Sequence, residues 1–395
     1  MMDGEKAARG NVGMKRMLPW AREFFQRADM LLFALCMVCS IFGLVVIASA
    51  TAHTPEGSTQ YLLIQTVALL IGIGLFVLFT VIDIDVIADK WIILYAISAL
   101  LLVALRFFGV ADDTGNKSWL RFGPIGIQPS EIIKIIYIVV MAKHISYLKE
   151  YRDLNHPLSV LQLAVHFGVP FVLVVIISSD LGSALIFFFI FLLLLFIAGL
   201  RLYWFLIGAA AMAAAIPFLW SNVLRQDQIN RILAPYDPSI DPAGDSVMWQ
   251  ANQSRLALAS GQFTGTGLYN GPQTQSGGVP AQHTDFIFSV IGEELGMLGC
   301  IVVIALLLAI ILRCVQIGLR SHNTMSMLVC FGVAGTILFQ SFINIGMCTG
   351  LTPVIGLTLP FFSYGGSSMF SLFAAMGLVS GVKFRPKAER FRRYG

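Results

Sequence analysis

Residues 181–199 read LGSALIFFFIFLLLLFIAG, a run without a charged side chain. Wound as a helix at about 1.5 Å per residue, it reaches nearly across the ~30 Å hydrocarbon layer of a bilayer. The apolar character extends both ways, so that 161–220 is almost continuous. Only Ser178-Ser179-Asp180 and Gly199-Leu200-Arg201 gather polar, charged or turn-forming residues there. Dividing at these points predicts helices near 161–178, 181–199 and 202–220. Outward from them, the same reading gives 29–50, 61–81, 91–109 and 130–148 before, and 286–312, 326–347 and 363–383 after. The expected fold is all-α, a polytopic transmembrane bundle of about ten spans. Its parts are a basic tail at 1–28, a membrane domain at 29–383 that includes a large loop at 221–285, and a second basic tail at 384–395. A nine-helix division would send the C-terminus to the opposite side.

Composition agrees with a lipid solvent. Of the residues, 57% are hydrophobic and 12% charged, where soluble proteins carry about a quarter charged; the mean hydropathy is +0.80. The first apolar run begins too late and is too long for a cleaved signal peptide, and lacks a small-x-small site. A net charge of +4 is too small to argue for nucleic acid. The six cysteines, Cys36, Cys39, Cys300, Cys314, Cys330 and Cys348, lie in or beside apolar runs without metal-ligand spacing, as packing residues do.

Charge placement orients the chain. With ten spans, nineteen of the 26 basic residues fall on the side of the two termini, which the positive-inside rule makes cytoplasmic. The other seven, Arg106, Lys117, Arg121, Lys134, Arg225, Arg231 and Arg255, lie in outer loops or in helices approaching them, and call for another reason. The loop at 221–285 interleaves Trp249, Tyr236, Tyr269 and Phe263 with polar residues, which argues against simple disorder. Within it, 247–258 is amphipathic and suited to lie on, or re-enter, the membrane surface.

Ionisable groups in apolar sequence are costly unless paired or wet. Glu131 and Lys134 are three apart at the start of the fourth span, so they share a helical face; a structural ion pair and a catalytic or substrate-binding role both fit. Asp180 precedes an apolar helix, where a carboxylate satisfies free N–H groups, and a functional role is also open. Asp83, Asp85 and Asp89 occupy a cytoplasmic turn and read as a solvated surface. In the outer loop, Arg225, Asp227, Arg231, Asp237, Asp241, Asp245 and Arg255 form a mixed cluster, a salt-bridged surface or a phosphate-binding set of arginine forks. Asp285 stands where the eighth span enters the membrane. It is a candidate general base and equally a candidate helix cap. Glu293 and Glu294 follow inside that span, as structural groups or part of a polar cavity. Ser363, Tyr364, Gly365 and Gly366 make a broken entrance to the last span, which needs cover from protein or a cavity, with Asn344 a candidate neighbour.

Six ordered pieces of this chain resemble the SEDS family, the shape, elongation, division and sporulation proteins of bacteria. They are Lys117-Ser118-Trp119-Leu120-Arg121; Gln128-Pro129-Ser130-Glu131 with Lys134; Ser179-Asp180-Leu181-Gly182; Asp237-Pro238 with Gln253-Ser254; His283-Thr284-Asp285-Phe286-Ile287 with Glu293-Glu294-Leu295-Gly296; and Pro360 with Ser363-Tyr364-Gly365-Gly366. Ser179 stands where the family more usually has proline. The resemblance implies a peptidoglycan glycosyltransferase polymerising lipid II at the outer face of the bacterial cytoplasmic membrane, beside a class B penicillin-binding protein. It implies catalytic roles for Asp285 and Glu131, and substrate contacts for Trp119 and Arg121. Lys117, Lys134, Arg231, Arg255 and Ser363 are the further candidates for substrate contact. Asp180, Asp237, Glu293, Glu294, Tyr364, Gly365 and Gly366 are candidates for shaping the cavity. No cofactor is demanded; a divalent cation is compatible, but no ligand pattern asks for one. The rival readings are a transporter for a lipid-linked precursor and a non-catalytic scaffold that activates the transpeptidase.

Overall fold

A computed structural model describes residues 22–54, 57–110, 118–122, 125–178, 180–222 and 224–385. Lys117, Ser179 and most of both tails lie outside the described residues. The chain begins with a short helix α1 (22–27), then α2 (Met30–Ala50), α3 (Gly57–Val81), a short α4 (Ile84–Asp89) and α5 (Trp91–Phe108). A hairpin of β1 (Leu120–Phe122) and β2 (Ile125–Ile127) pairs Arg121 with Gly126, a feature the apolar pattern did not announce. Then come α6 (Pro129–Tyr151), α7 (Pro157–Ser178), α8 (Leu181–Ala198) and α9 (Leu202–Asn222). The long loop holds α10 (Gln226–Leu233), α11 (Trp249–Gly261) and α12 (Pro272–Gln275). The chain closes with α13 (Ile287–Leu319), α14 (Thr324–Thr349) and α15 (Gly366–Phe384).

Among the described residues, nine helices are long and apolar enough to cross a membrane. They are α2, α3, α5, α7, α8, α9, α13, α14 and α15. The tenth member, α6, is also long at 23 residues, but it carries Glu131, Lys134, Lys143 and Lys149, which dilute its apolar character. It tolerates them because it lies inside the bundle, packed by α5, α7, α8, α14 and α15. The divisions at 180 and 199 hold for reasons of capping. Asp180 Oδ1 accepts from Ser183 N at 2.8 Å and caps α8, while Gly199 at φ 87° ends it.

The end of the bundle where α2 begins and α15 finishes is locked by one carboxylate. Asp29, fully buried, caps α2 by accepting from Leu32 N at 2.9 Å. It also receives Arg313 of α13 in a fork, at 2.6 Å from Nη2, and Lys383 of α15 at 3.0 Å. Arg313 therefore sits within α13 instead of ending it, and the helix runs to Leu319, past the expected limit at 312.

At 33 residues, α13 is about 50 Å long, well beyond the bilayer core. It is interrupted at Gly296, whose φ of 66° and ψ of −166° suit glycine alone. The long loop fills the break. Thr266 N and Gly267 N donate to the freed carbonyls of Glu293 and Glu294 at 3.0 and 2.9 Å, and Met297 N donates to Gln262 O at 3.0 Å. Backbone groups that would otherwise face an apolar medium unpaired are thus satisfied by the loop itself. The amphipathic stretch forms most of α11, which packs one face on the bundle. Ala251, Ser254, Ala257 and Gly261, one helical face, are buried against α13 and α14.

Candidate functional site

Asp285 lies in the last turn of the long loop, partly exposed at the end of the bundle opposite the Asp29 lock. Phe286, not Asp285, is the N-cap residue of α13. Two segments hold this turn, through three hydrogen bonds. Asn344 of α14 donates from Nδ2 to Asp285 O at 2.7 Å. Ser363 donates from Oγ to Thr284 O at 2.6 Å while accepting from Leu359 N at 2.8 Å. Tyr364 N donates to His283 O at 2.8 Å. From α3, Gln65 donates to Ser363 O at 3.1 Å and accepts from Gly365 N at 3.0 Å, tying down the broken entrance of α15. The carboxylate faces the 355–357 chain, because a Cβ placed on Gly356 would lie 3.6 Å from Asp285 Oδ2.

Beside the turn, Tyr61, His283 and Tyr364 gather their rings with centroids 4.9 to 5.7 Å apart. Burial, then the positive potential of His53, lowers the His283 pKa, so its imidazole is neutral near pH 7.

The second group of polar residues is buried at the start of α6. Lys134 Nζ donates to Glu131 Oε1 at 2.7 Å and to Gln340 Oε1 at 3.3 Å. Gln340 in turn donates to Thr358 O at 3.1 Å. Both charged side chains are almost wholly enclosed, at 2% exposed for Lys134 and 6% for Glu131. A small cavity opens beside them, lined by Ile138, Thr336, Ser371 and Ala375 among others. Asp180 joins from α8: its Oδ2 accepts from Gln128 Nε2 at 3.1 Å and from Ser183 Oγ at 2.7 Å, and Ser183 Oγ also reaches Ser130 Oγ at 3.1 Å.

The fold thus brings Glu131, Lys134 and Asp180 together at the start of α6, in two adjoining buried groups. It links them to Asp285 through α14, where Gln340 and Asn344 stand one turn apart on the same face. Gln340, Ser183 and Gln65 escaped the sequence reading, and Gln128 entered it only as part of a motif, without a role. Their one signal is that uncharged polar residues are expensive within or beside spans, which flags a need for partners but not which partners.

The other candidates are placed as follows. Trp119 stands just before β1, bridged to Val110, and Arg121 lies within β1; β2 packs on α15, and Gln128 N donates to Ser367 Oγ at 3.1 Å, so the hairpin shares the Asp285 end. The Trp119 ring covers Gly126, and Arg121 is exposed. Arg255 donates to Thr349 O and Gly350 O, each at 3.3 Å, and so caps the end of α14. Arg231, in the last turn of α10, makes no hydrogen bond or ion pair among the described residues. Asp237 accepts from Ser239 N at 2.9 Å in a local turn.

Glu293 is a structural hub. It accepts from Gln273 N, Thr274 N, Thr274 Oγ1 and Ser260 Oγ at 2.6 to 2.9 Å, fastening α12 and α11 to α13. Glu294 receives Ser49 Oγ at 2.7 Å and Gln275 Nε2 at 3.0 Å. Gly365 and Gly366 form the start of α15. No group of three or more His, Cys, Asp or Glu side chains among the described residues could hold a metal ion.

A family model described as "Cell cycle protein" (FTSW_RODA_SPOVE) matches residues 29–387. The chain is 36% identical over 293 residues to the peptidoglycan glycosyltransferase MrdB of Escherichia coli, covering 73% of this chain and 76% of that protein. It is 33% identical over 377 residues to the probable peptidoglycan glycosyltransferase FtsW of Geobacter metallireducens, covering 92% and 96%. Among solved structures, a chain described under "Structural coordination of polymerization and crosslinking by a peptidoglycan synthase complex" superposes with a TM-score of 0.76. It is 29% identical, with 90% of this chain and 97% of that one covered. The rod shape determining protein RodA of Thermus thermophilus gives a TM-score of 0.65 at 27% identity, covering 90% and 96%.

Proposed function

The chain belongs to the FtsW–RodA–SpoVE, or SEDS, family of peptidoglycan glycosyltransferases, and from that premise we propose that it polymerises lipid II with Asp285 as the base. The membrane face bearing Asp285 is then the outer one, both termini are cytoplasmic, and a class B penicillin-binding protein crosslinks the product. The observation that carries this reading is the Asp285 turn: its backbone is held from α14 and from the 363–364 segment at the mouth of the bundle, with the carboxylate facing the 355–357 chain.

Transfer makes one bond and breaks one. The 4-hydroxyl oxygen of the acceptor sugar attacks the anomeric carbon of the donor, and undecaprenyl pyrophosphate leaves from that carbon. Asp285 takes the hydroxyl proton, which requires its carboxylate within about 3 Å of the oxygen. The leaving pyrophosphate gathers negative charge, and fixed cations stabilise it best where water is scarce. Arg121, Arg231, Arg255 and Lys117 supply that charge from the loops, with Trp119 packing on the substrate. Lys134 adds a buried positive charge whose place is set by Glu131 at 2.7 Å. Asp180 and the Ser363–Gly366 entrance shape the floor. A divalent cation at the pyrophosphate is compatible with this scheme and not needed by it.

The test is polymerisation of fluorescent lipid II by the full chain purified with its transpeptidase partner, wild type against Asp285→Asn. Glycan ladders are expected from the wild type, with at least a 100-fold loss in the variant, within the range removed with a general base. Equal ladders from both would exclude Asp285 as the base. No ladder from either, with lipid II crossing vesicles intact, would favour the transporter.

A further inference from the structure

Asn344 lies midway along the chemistry of this site without touching its surface. It is fully buried in α14. Its Nδ2 donates twice, to Asp285 O at 2.7 Å and to Leu357 O at 2.6 Å. Both partners are carbonyls, so the amide can face them in one orientation only; the flipped form would set an oxygen against two oxygens. Both N–H groups are spent in this way, while Oδ1 is buried without a partner. A residue serving only to pack α14 would be apolar and would avoid that unpaired oxygen.

The two carbonyls belong to the two chain segments that face each other at the carboxylate. One is the peptide of Asp285 itself. The other follows Gly356, whose Cα region lies against the carboxylate: a Cβ built there would stand in ordinary contact, 3.6 Å from Asp285 Oδ2. One amide therefore sets the separation between Asp285 and the wall opposite. Gln340, one turn earlier on α14, holds Lys134 at 3.3 Å, so the same helix face fixes the buried cation relative to the acid.

We propose that Asn344 is a positioning residue for glycosyl transfer, clamping the Asp285 and Leu357 carbonyls together so that the Asp285 carboxylate meets the acceptor hydroxyl. Being enclosed, it acts through Asp285 and makes no contact with substrate. This rests on the reading of Asp285 as the base. Its signature is a split between turnover and binding, because a misplaced base slows the chemical step while the substrate grooves stay as they were.

The experiment compares wild type, Asn344→Ala, the near-isosteric Asn344→Leu, and Asp285→Asn, each as the full chain with its transpeptidase partner and fluorescent lipid II. The expected result is a fall in kcat of about 10- to 100-fold in both Asn344 variants, with KM within about threefold of wild type. Unchanged kcat in a folded variant overturns the proposal, as does a rise in KM matching the whole loss. Failure of both variants to give folded protein also overturns it, making Asn344 a structural residue. Asp285→Asn separates the two readings. If it is inactive while the Asn344 variants keep wild-type kcat, only the clamp fails; if it is fully active, the base assignment fails and the clamp with it.

Discussion

Glu131 and Lys134 meet at 2.7 Å with almost no exposure, and burial makes each dependent on the other. Removing one partner strands a charge, at a cost of about 3–5 kcal/mol, whereas replacing both by apolar residues of similar volume is often neutral. Glu131→Leu and Lys134→Met should each lower the melting temperature in detergent, and the double variant should recover most of that loss. Polymerisation is expected to stay at least tenfold down in all three. A stable double variant with wild-type activity would reduce the pair to a structural role, the reading that spacing alone left open. The spacing of three announced the contact; it carried no information on Gln340, 206 positions away from Lys134. Pairings of that range depend on which helices become neighbours, and an apolar run has no mark for its neighbour.

At the scale of elements, the spans were legible because lipid imposes length and apolarity on each one, and even α6 was recoverable despite its charges. The hairpin at 120–127 and the break in α13 were not. The break hides in Glu293-Glu294-Leu295-Gly296, where a single glycine in a long apolar run reads as ordinary helix packing. Its meaning lies with Thr266 and Gly267, which take the freed carbonyls. Gly296→Ala would force a side chain into positive φ at a strain of roughly 1–3 kcal/mol. It would also set a methyl group against the Gly265 and Phe263 backbone. The expected outcome is release of the 262–275 segment, seen as faster cleavage there by protease added to purified protein. A cleavage rate equal to wild type would mean that the loop does not depend on the break.

For the molecule as a whole, the Asp29 lock joins the start of α2, the later part of α13 and the last turn of α15 at one end, as an even number of spans between α2 and α15 requires. An impermeant thiol reagent applied to intact cells, in a background with the native cysteines replaced, should label Gln226→Cys in the long loop and leave Arg320→Cys unlabelled until the membrane is opened. The reverse pattern would invert the orientation and remove Asp285 from the outer face. The lateral packing is uneven: among the described residues, α9 buries no apolar side chain inside the chain, while most of α15 is enclosed. Sequence could not distinguish them, since both are simply apolar.

The lock at Asp29 also has a history in time. Its backbone N–H donates to Ser380 Oγ, 351 residues further on, and Lys383 lies beyond that. A ribosome adding about 5–20 residues per second reaches Ser380 roughly 20–70 s after Asp29 is made. Until Arg313 is made, 284 residues after Asp29, the first span waits with an unmatched acid at its edge, and the lock stays incomplete until Ser380 and Lys383 follow. Nascent chains cut short before α13 would keep it so, while those cut short before α15 would hold the acid by Arg313 alone.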